Sequence, residues 1–273
     1  MAPSKQPRAL LFDIGGVVSP MQAILDYETS KGIPPGYVNY CISKNKPNGF
    51  WHRLERGEIP MDAAWFQGFT ADLNNPSHWS SFYSAQRQKL NLPEKIPPQP
   101  PIDGEWLFWD MMRASRDPDP WMYPALKKLK ESGQYLLAAC SNTVIFPEGH
   151  EYNNARGDLR GLFDIFISSA HVGLRKPDPA IYKLVIAEID RFAKENASTR
   201  GKGLGWENGI QPEEIVFLDD IGENLKAAKE IGFGTIKVPL GRSYEAVGEL
   251  EKLTGLKLAG DYPRIAVPPK AKL

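Results

Sequence analysis

Two rhythms of apolar and polar residues divide the chain. The runs "ALLFDIGGVV" (9–18), "QYLLAACSN" (134–142), "FDIFISSAHVG" (163–173), "EEIVFLDD" (213–220) and "GTIKV" (234–238) read as strands. Most carry apolar residues at successive positions, as strands covered on both faces do. Other stretches repeat apolar residues at helical spacing. "YPALKKLKESG" (123–133) ends with lysines and the capping residue Gly133, and "DPAIYKLVIAEIDRFAKE" (178–195) opens on Asp178 and Pro179, a cap followed by a first-turn proline. "IGENLKAAKEIGF" (221–233) is a third helix. This alternation predicts the α/β class, with a doubly wound (Rossmann-like) parallel sheet.

Residues 21–117 break the rhythm. They lack β-rich runs and hold helical patches such as "ILDYETSKG", "FWHRLERGEI", "MDAAWFQGFTADL" and "GEWLFWDMMRAS". The Pro-rich "LPEKIPPQPPIDG" (92–104) divides them as an extended connector. The expected organisation is a core of residues 1–20 and 118–260, a helical insertion of 21–117 closed by "RDPDP", and a C-terminal tail of 261–273 in which "VPPKAKL" (267–273) is loose. Polar stretches at 147–161 and 196–209 read as loops.

Composition narrows the function. Lys+Arg and Asp+Glu both count 33, so no global field favours nucleic acid or an anionic membrane, and any anion site must be built locally. No run approaches the ~18 apolar residues of a membrane span, and the first residues show no signal-peptide pattern. Cys41 and Cys140 are too few for a disulfide framework or a cysteine metal cage. The expectation is a reduced, cytoplasmic protein, monomer or homodimer, acting on a small molecule.

The strand ends carry the candidate chemistry. In an open parallel sheet, ligands sit at the carboxyl ends of strands near a reversal of strand order. Strand one ends at Asp13, strand two at Ser141 and Asn142, and strand four at Asp219 and Asp220; Lys176 follows strand three at a helix entrance. Each alone also fits a turn or a cap. Together, carboxylates facing donors suit a hard cation with a phosphoryl group.

"FDIGGVV", "CSNT", "GLRKPDPAIY" and "FLDDIGENLKAAKEIGF" resemble, in order and kind, the four motifs of the haloacid dehalogenase superfamily. The resemblance is nearest to phosphatase-like members such as the N-terminal domain of soluble epoxide hydrolase and the domain fused to some acyl-CoA dehydrogenases. It implies that Asp13 is the nucleophile that forms an aspartyl-phosphate. Ser141 and Asn142, with the Gly15–Gly16 turn, would contact the phosphoryl group, and Lys176 would neutralise charge. Mg2+ would be held by Asp13, the Gly15 carbonyl, Asp220 and its neighbour Asp219. Asn224 would orient the acidic pair, and the insertion would be a cap.

The sequence departs from the family's phosphatases at Gly15, where they usually carry a second aspartate that protonates the leaving oxygen. A positioned general acid contributes about 10²–10⁴-fold. Its loss favours enol, aryl, acyl or allylic phosphates, unless a cap carboxylate or Glu148, Glu151 or Asp158 substitutes. Two alternatives stand beside the phosphatase: a metal-independent 2-haloacid dehalogenase-type hydrolase, and a phosphate-binding domain with impaired turnover. Phosphonate-cleaving relatives use a cap lysine, for which Lys31, Lys44 and Lys46 are available. His52, His78, His150 and His171 read as surface or structural residues, and Cys140 as core. Most of Trp51, Trp65, Trp79, Trp106 and Trp109, with Phe50, Phe66, Phe69, Phe82 and Phe108, are expected to form the cap's own core. Some would line a pocket for an apolar substrate body.

Overall fold

The computed structural model describes residues 6–19, 23–153 and 159–267. Five parallel strands, β1 (Ala9–Phe12), β2 (Leu136–Ser141), β3 (Ile165–Ser168), β4 (Ile215–Asp219) and β5 (Gly234–Lys237), form one sheet in the order β3-β2-β1-β4-β5. The order reverses at β1, so the crevice between the ends of β1 and β4 is the switch point.

Strand alternation gives the sheet two dry faces. Leu10 and Phe12 point into one cluster, against α7 (Met122–Ser132) and α11 (Ser243–Thr254). Ala9 and Leu11 point into the other, against α9 (Pro179–Asn196) and α10 (Gly222–Glu230). Asp178 caps α9 by accepting from the Ala180 amide, and Gly133 closes α7 in the left-handed region, φ 65°.

The structure corrects one sequence expectation and adds detail to two others. Strand three is shorter than 163–173: from Ser169 the chain turns into the one-turn helix α8 (Ser169–Val172), whose Ser169 hydroxyl donates to the Glu55 carbonyl instead of continuing the ladder. The loop at 196–209 delivers Trp206, fully buried, into the sheet's second cluster. The first part of the tail is held to the core: the Trp121 indole donates to the Pro263 carbonyl at 3.0 Å and the Val267 amide to the Gly241 carbonyl. The last residues, 268–273, lie outside the described ones.

Between β1 and α7 the described residues form six helices: α1 (Ala23–Lys31), α2 (Tyr37–Lys44), α3 (Phe50–Glu55), α4 (Ala63–Leu73), α5 (Pro76–Gln86) and α6 (Gly104–Ala114). They enclose their own cluster, in which Trp65 stacks on Phe69 (5.2 Å, 12°) and meets Phe108 edge-on at 5.0 Å. Pro97 and Gln99 of the Pro-rich connector bind the Trp79 indole and the Leu73 carbonyl. Where the insertion rejoins the core, the Asp119 amide donates to the Val18 carbonyl at 2.8 Å, laying the two crossings side by side. A second tie follows β2: Phe146 and His150 stack on Trp109 of α6, with ring centroids 6.4 and 5.0 Å away. Among the described residues, no helix is long and apolar enough to cross a membrane.

Candidate active site

Asp13 follows β1 directly, and its amide donates to the Leu218 carbonyl, which seats it beside the end of β4. The chain then turns tightly: the Val18 and Ser19 amides both return to the Ile14 carbonyl, and Gly16 donates to Ser19. Gly16 requires its missing side chain twice over. Its φ is +78°, and a Cβ there would stand 2.7 Å from the Asp220 carboxyl carbon. The glycine therefore lets the turn lie against Asp220.

Lys176 joins the elements. Its ammonium, fully buried, lies 2.9 Å from Asp13 Oδ2 and 2.8 Å from Asp219 Oδ2. Burial alone would disfavour its charge, but the two carboxylates outweigh that and raise its pKa. Asn142 fixes the lysine backbone, accepting from the Lys176 amide at 2.8 Å and donating to its carbonyl at 3.1 Å. The side chain expected to contact phosphate thus also holds the lysine. Ser141 is buried at the end of β2 and lines the same cavity.

The two late aspartates divide their work. Both Asp219 oxygens accept hydrogen bonds: Oδ1 from the Ile221 amide and Asn224, Oδ2 from Lys176 and Asn224. Asn224 is itself held at its carbonyl by the Tyr182 hydroxyl. Asp220 lies against Asp13 and Gly16, with ligand oxygens of Asp13, Asp219 and Asp220 all within 4.8 Å of one another. Burial, then the charges of Asp13 and Asp219, push Asp220 up to about 8. Burial pushes Asp13 up to about 6, against the opposing pull of Lys176. Three carboxylates facing one ammonium make a site with unbalanced negative charge, which a divalent cation fits.

These groups open on a cavity of about 590 Å³ between the sheet edge and the insertion. Asp13, Gly15, Ser141 and Lys176 line its floor; Ile24, Ile42, Trp51 and Met111 give the insertion's wall an apolar character. Of the aromatic residues weighed for a pocket role, Trp51 alone lines the cavity. Trp65, Trp79, Phe66, Phe69, Phe82 and Phe108 are buried within the insertion, and Trp106 is exposed.

Sequence reasoning missed two residues of that wall. Glu55, buried at the end of α3, pairs with Arg175 at 2.7 Å and is the insertion's own carboxylate in the cavity among the described residues. His52 is not at the surface: it is buried in the cavity wall one helical turn before Glu55. The spacing of His52 and Glu55 on one helix face was a usable signal. Glu148 and Glu151 are exposed and away from the cavity; Asp158 lies outside the described residues. Of the insertion's lysines, Lys46 lines the cavity but pairs with Glu223 at 2.6 Å, while Lys31 and Lys44 sit over tyrosine rings. His171 meets the Ser168 hydroxyl outside the cavity, and Cys140 is buried in the core.

The haloacid dehalogenase-like hydrolase family model matches residues 7–232. The chain is 34% identical over 267 residues to bifunctional epoxide hydrolase 2 of Mus musculus, covering 96% of this chain and 40% of that protein. It therefore spans about two fifths of that relative's length. It is 25% identical over 248 residues to the sesquiterpene phosphatase astK of Aspergillus oryzae, covering 91% of this chain and 97% of that one. A crystal structure of a dehalogenase shares the fold at a TM-score of 0.50 and 18% identity, over 93% of this chain and 99% of its own. The family match starts before β1 and ends beyond α10, so it takes in every element that positions Asp13, Lys176 and the late aspartates, and the chain belongs to the haloacid dehalogenase-like hydrolases.

Proposed function

We propose that this hydrolase is a magnesium-dependent phosphatase that works through Asp13, with the six-helix insertion as a cap over the cavity. The observation that carries the reading is the buried Lys176 ammonium, which bridges Asp13 and Asp219 beside Asp220 at the switch point of the sheet. Phosphatase relatives such as the full-length match to astK support it.

The Asp13 carboxylate is held at both oxygens, Oδ1 by the Ile14 amide at 2.7 Å and Oδ2 by Lys176. That orientation serves an in-line attack on phosphorus, in which an Asp13 oxygen–phosphorus bond forms as the ester oxygen–phosphorus bond breaks. Water then cleaves the acyl phosphate, releasing inorganic phosphate and restoring the carboxylate. Lys176 and Ser141 meet the phosphoryl oxygens. Asp13, Asp220 and the Gly15 carbonyl would hold the metal, with Asp219 fully engaged in anchoring Lys176 and Asn224. Bound magnesium would supply charge neutralisation at the phosphoryl oxygens.

No carboxylate occupies position 15, and Glu55, the cap's carboxylate, is committed to Arg175. The leaving oxygen thus takes its proton from solvent, which favours activated esters: aryl, enol, acyl or allylic phosphates. The apolar cap wall suits a hydrophobic body on such an ester.

The test is phosphate release from aryl and acyl phosphates, with and without magnesium, beside an Asp13→Asn variant. Magnesium-dependent turnover that falls at least ~10³-fold in the variant is the expected result. Halide release from a 2-haloacid without metal, or binding without turnover, would overturn the reading.

A further inference from the structure

Behind the groups that face the cavity runs a buried chain of hydrogen bonds. Asn224 donates to both oxygens of Asp219, at 3.1 and 3.0 Å, and Asp219 Oδ2 lies 2.8 Å from the Lys176 ammonium. Asp219, Lys176 and Asn224 are all buried, so none of these bonds is shared with bulk water. Where the lysine stands thus depends on where Asn224 stands, and Asn224 belongs to the first turn of α10.

Tyr182 reaches that turn from the first turn of α9. It is fully buried and is not among the residues that line the cavity. Its hydroxyl donates to the Asn224 carbonyl at 2.9 Å. Its ring meets Phe217 of β4 at 6.0 Å and Phe233 at 6.1 Å, both edge-on. Phe217 stands two residues before Asp219 on the same face of the strand, and the Lys176 ammonium lies 5.2 Å from the centre of its ring. Phenylalanine would supply the same apolar packing. What it lacks is the hydroxyl, which goes to the residue that grips Asp219.

The two helix starts also carry the site's charges. Lys176 stands three residues before α9, and Asp219 three residues before α10. The bond from the phenol to the carbonyl ties one start to the other. We propose that Tyr182 is a positioning residue for the reaction: its hydroxyl keeps the start of α10 in register with that of α9, and so keeps Asp219 and Lys176 in the geometry that aims Asp13. The inference rests on the phosphatase reading for what Asp13 and Lys176 do, and not for the hydrogen-bond chain itself.

The experiment compares Tyr182→Phe with Tyr37→Phe, each in the full chain. Tyr37 is equally buried, and its hydroxyl also donates to a carbonyl, that of Leu73 at 3.2 Å, but inside the insertion. The first readout is the ¹⁵N signal of the Lys176 ammonium, recorded without metal. In Tyr182→Phe it should shift and exchange its protons with water faster; in Tyr37→Phe it should match the wild type. The second is magnesium-dependent turnover of p-nitrophenyl phosphate, measured well below the melting temperature of each protein. Partners that directly orient a reacting group contribute about 10–100-fold, and Tyr182 stands one step further back. In Tyr182→Phe kcat should therefore fall roughly three- to tenfold with KM unchanged, while Tyr37→Phe keeps the wild-type kcat. An unmoved Lys176 signal, an unchanged kcat, or the same losses in Tyr37→Phe overturns the proposal. Should Tyr182→Phe fail to fold, 3-fluorotyrosine placed at 182 keeps the hydroxyl but makes it a stronger donor. The Lys176 signal should then move, and an unmoved signal again overturns the proposal. Failure of the phosphatase reading looks different: the wild type would release no phosphate, while the Lys176 signal still answers to Tyr182→Phe and not to Tyr37→Phe.

Discussion

The sheet and the insertion each enclose a dry interior, but they build it from different materials. Around the strands the buried residues are mainly small or aliphatic, such as Ala9, Leu10, Ala138 and Val216, and helices lie close on both faces. Among its described residues the insertion has no ladder to join its parts, and its helices run only 6 to 11 residues. It gathers them around rings instead: Trp65 alone contacts Trp51, Phe66, Phe69 and Phe108. Short helices are marginal by themselves, so large side chains shared among several helices are what makes the set cohere. Polar groups follow the same division. At the sheet edge Asp219, Asn142 and Asn224 are each matched within the protein, while in the insertion the ring nitrogens of His52 are buried without a hydrogen-bond partner.

The strongest probe of this contrast is Trp65→Ala, expected to cost about 3–5 kcal/mol. If the interiors are separate units, denaturation followed by far-UV and near-UV signals splits into two transitions, with the insertion melting first. A single coincident transition would show that they fold as one. At the sheet edge, Gly16→Ala combines a strained φ with a clash on Asp220 and should cost about 1–3 kcal/mol. Its chemical-denaturation midpoint falls, and magnesium-dependent turnover falls with it. A fully active variant would mean that Asp220 need not stay where it lies.

Smaller is the pH effect of His52. Burial and its cationic neighbours lower its pKa to about 4, below the usual ~6.5 of an unfolded histidine. Between those values the unfolded chain binds more protons than the folded one, so stability falls as pH drops from about 6.5 towards 4. Wild-type protein should therefore lose more of its urea midpoint between pH 7 and pH 5 than His52→Leu does; equal losses would deny the histidine this role. The least effect is expected from Lys46→Ala. Its pair with Glu223 spans insertion and core but is exposed, and its removal should change stability by less than about 0.5 kcal/mol. A larger change would mean that this contact helps hold the two interiors together.

The strands and the groups at their tips were legible in the sequence because both-sided burial leaves a local trace, an unbroken apolar run stopped by Asp13, Ser141 or Asp219. The helices α9 and α10 announced themselves in the same way through period and caps. Much of the insertion was harder to read. Helices α2 and α5 are short and rich in serine, asparagine and aromatics, although Asn75 followed by Pro76 does carry a cap signal for α5. Trp206 sits in a polar, glycine-rich stretch, and its burial depends on Gly201, where a Cβ would stand 2.3 Å from the indole. That is a contact no local pattern encodes. Nor does any pattern tell that Glu55 reaches Arg175, some 120 residues on, or that His52 is buried with its ring nitrogens unpartnered.

The ring stack of Trp109, Phe146 and His150 couples two things usually treated apart. It moors the segment leaving β2 to helix α6, a few residues beyond Ser141 and Asn142. The rings therefore fix the spacing between α6 and the tip of that strand in the folded chain. Insertion and sheet, each with a dry interior of its own, are thus riveted to one another by three rings.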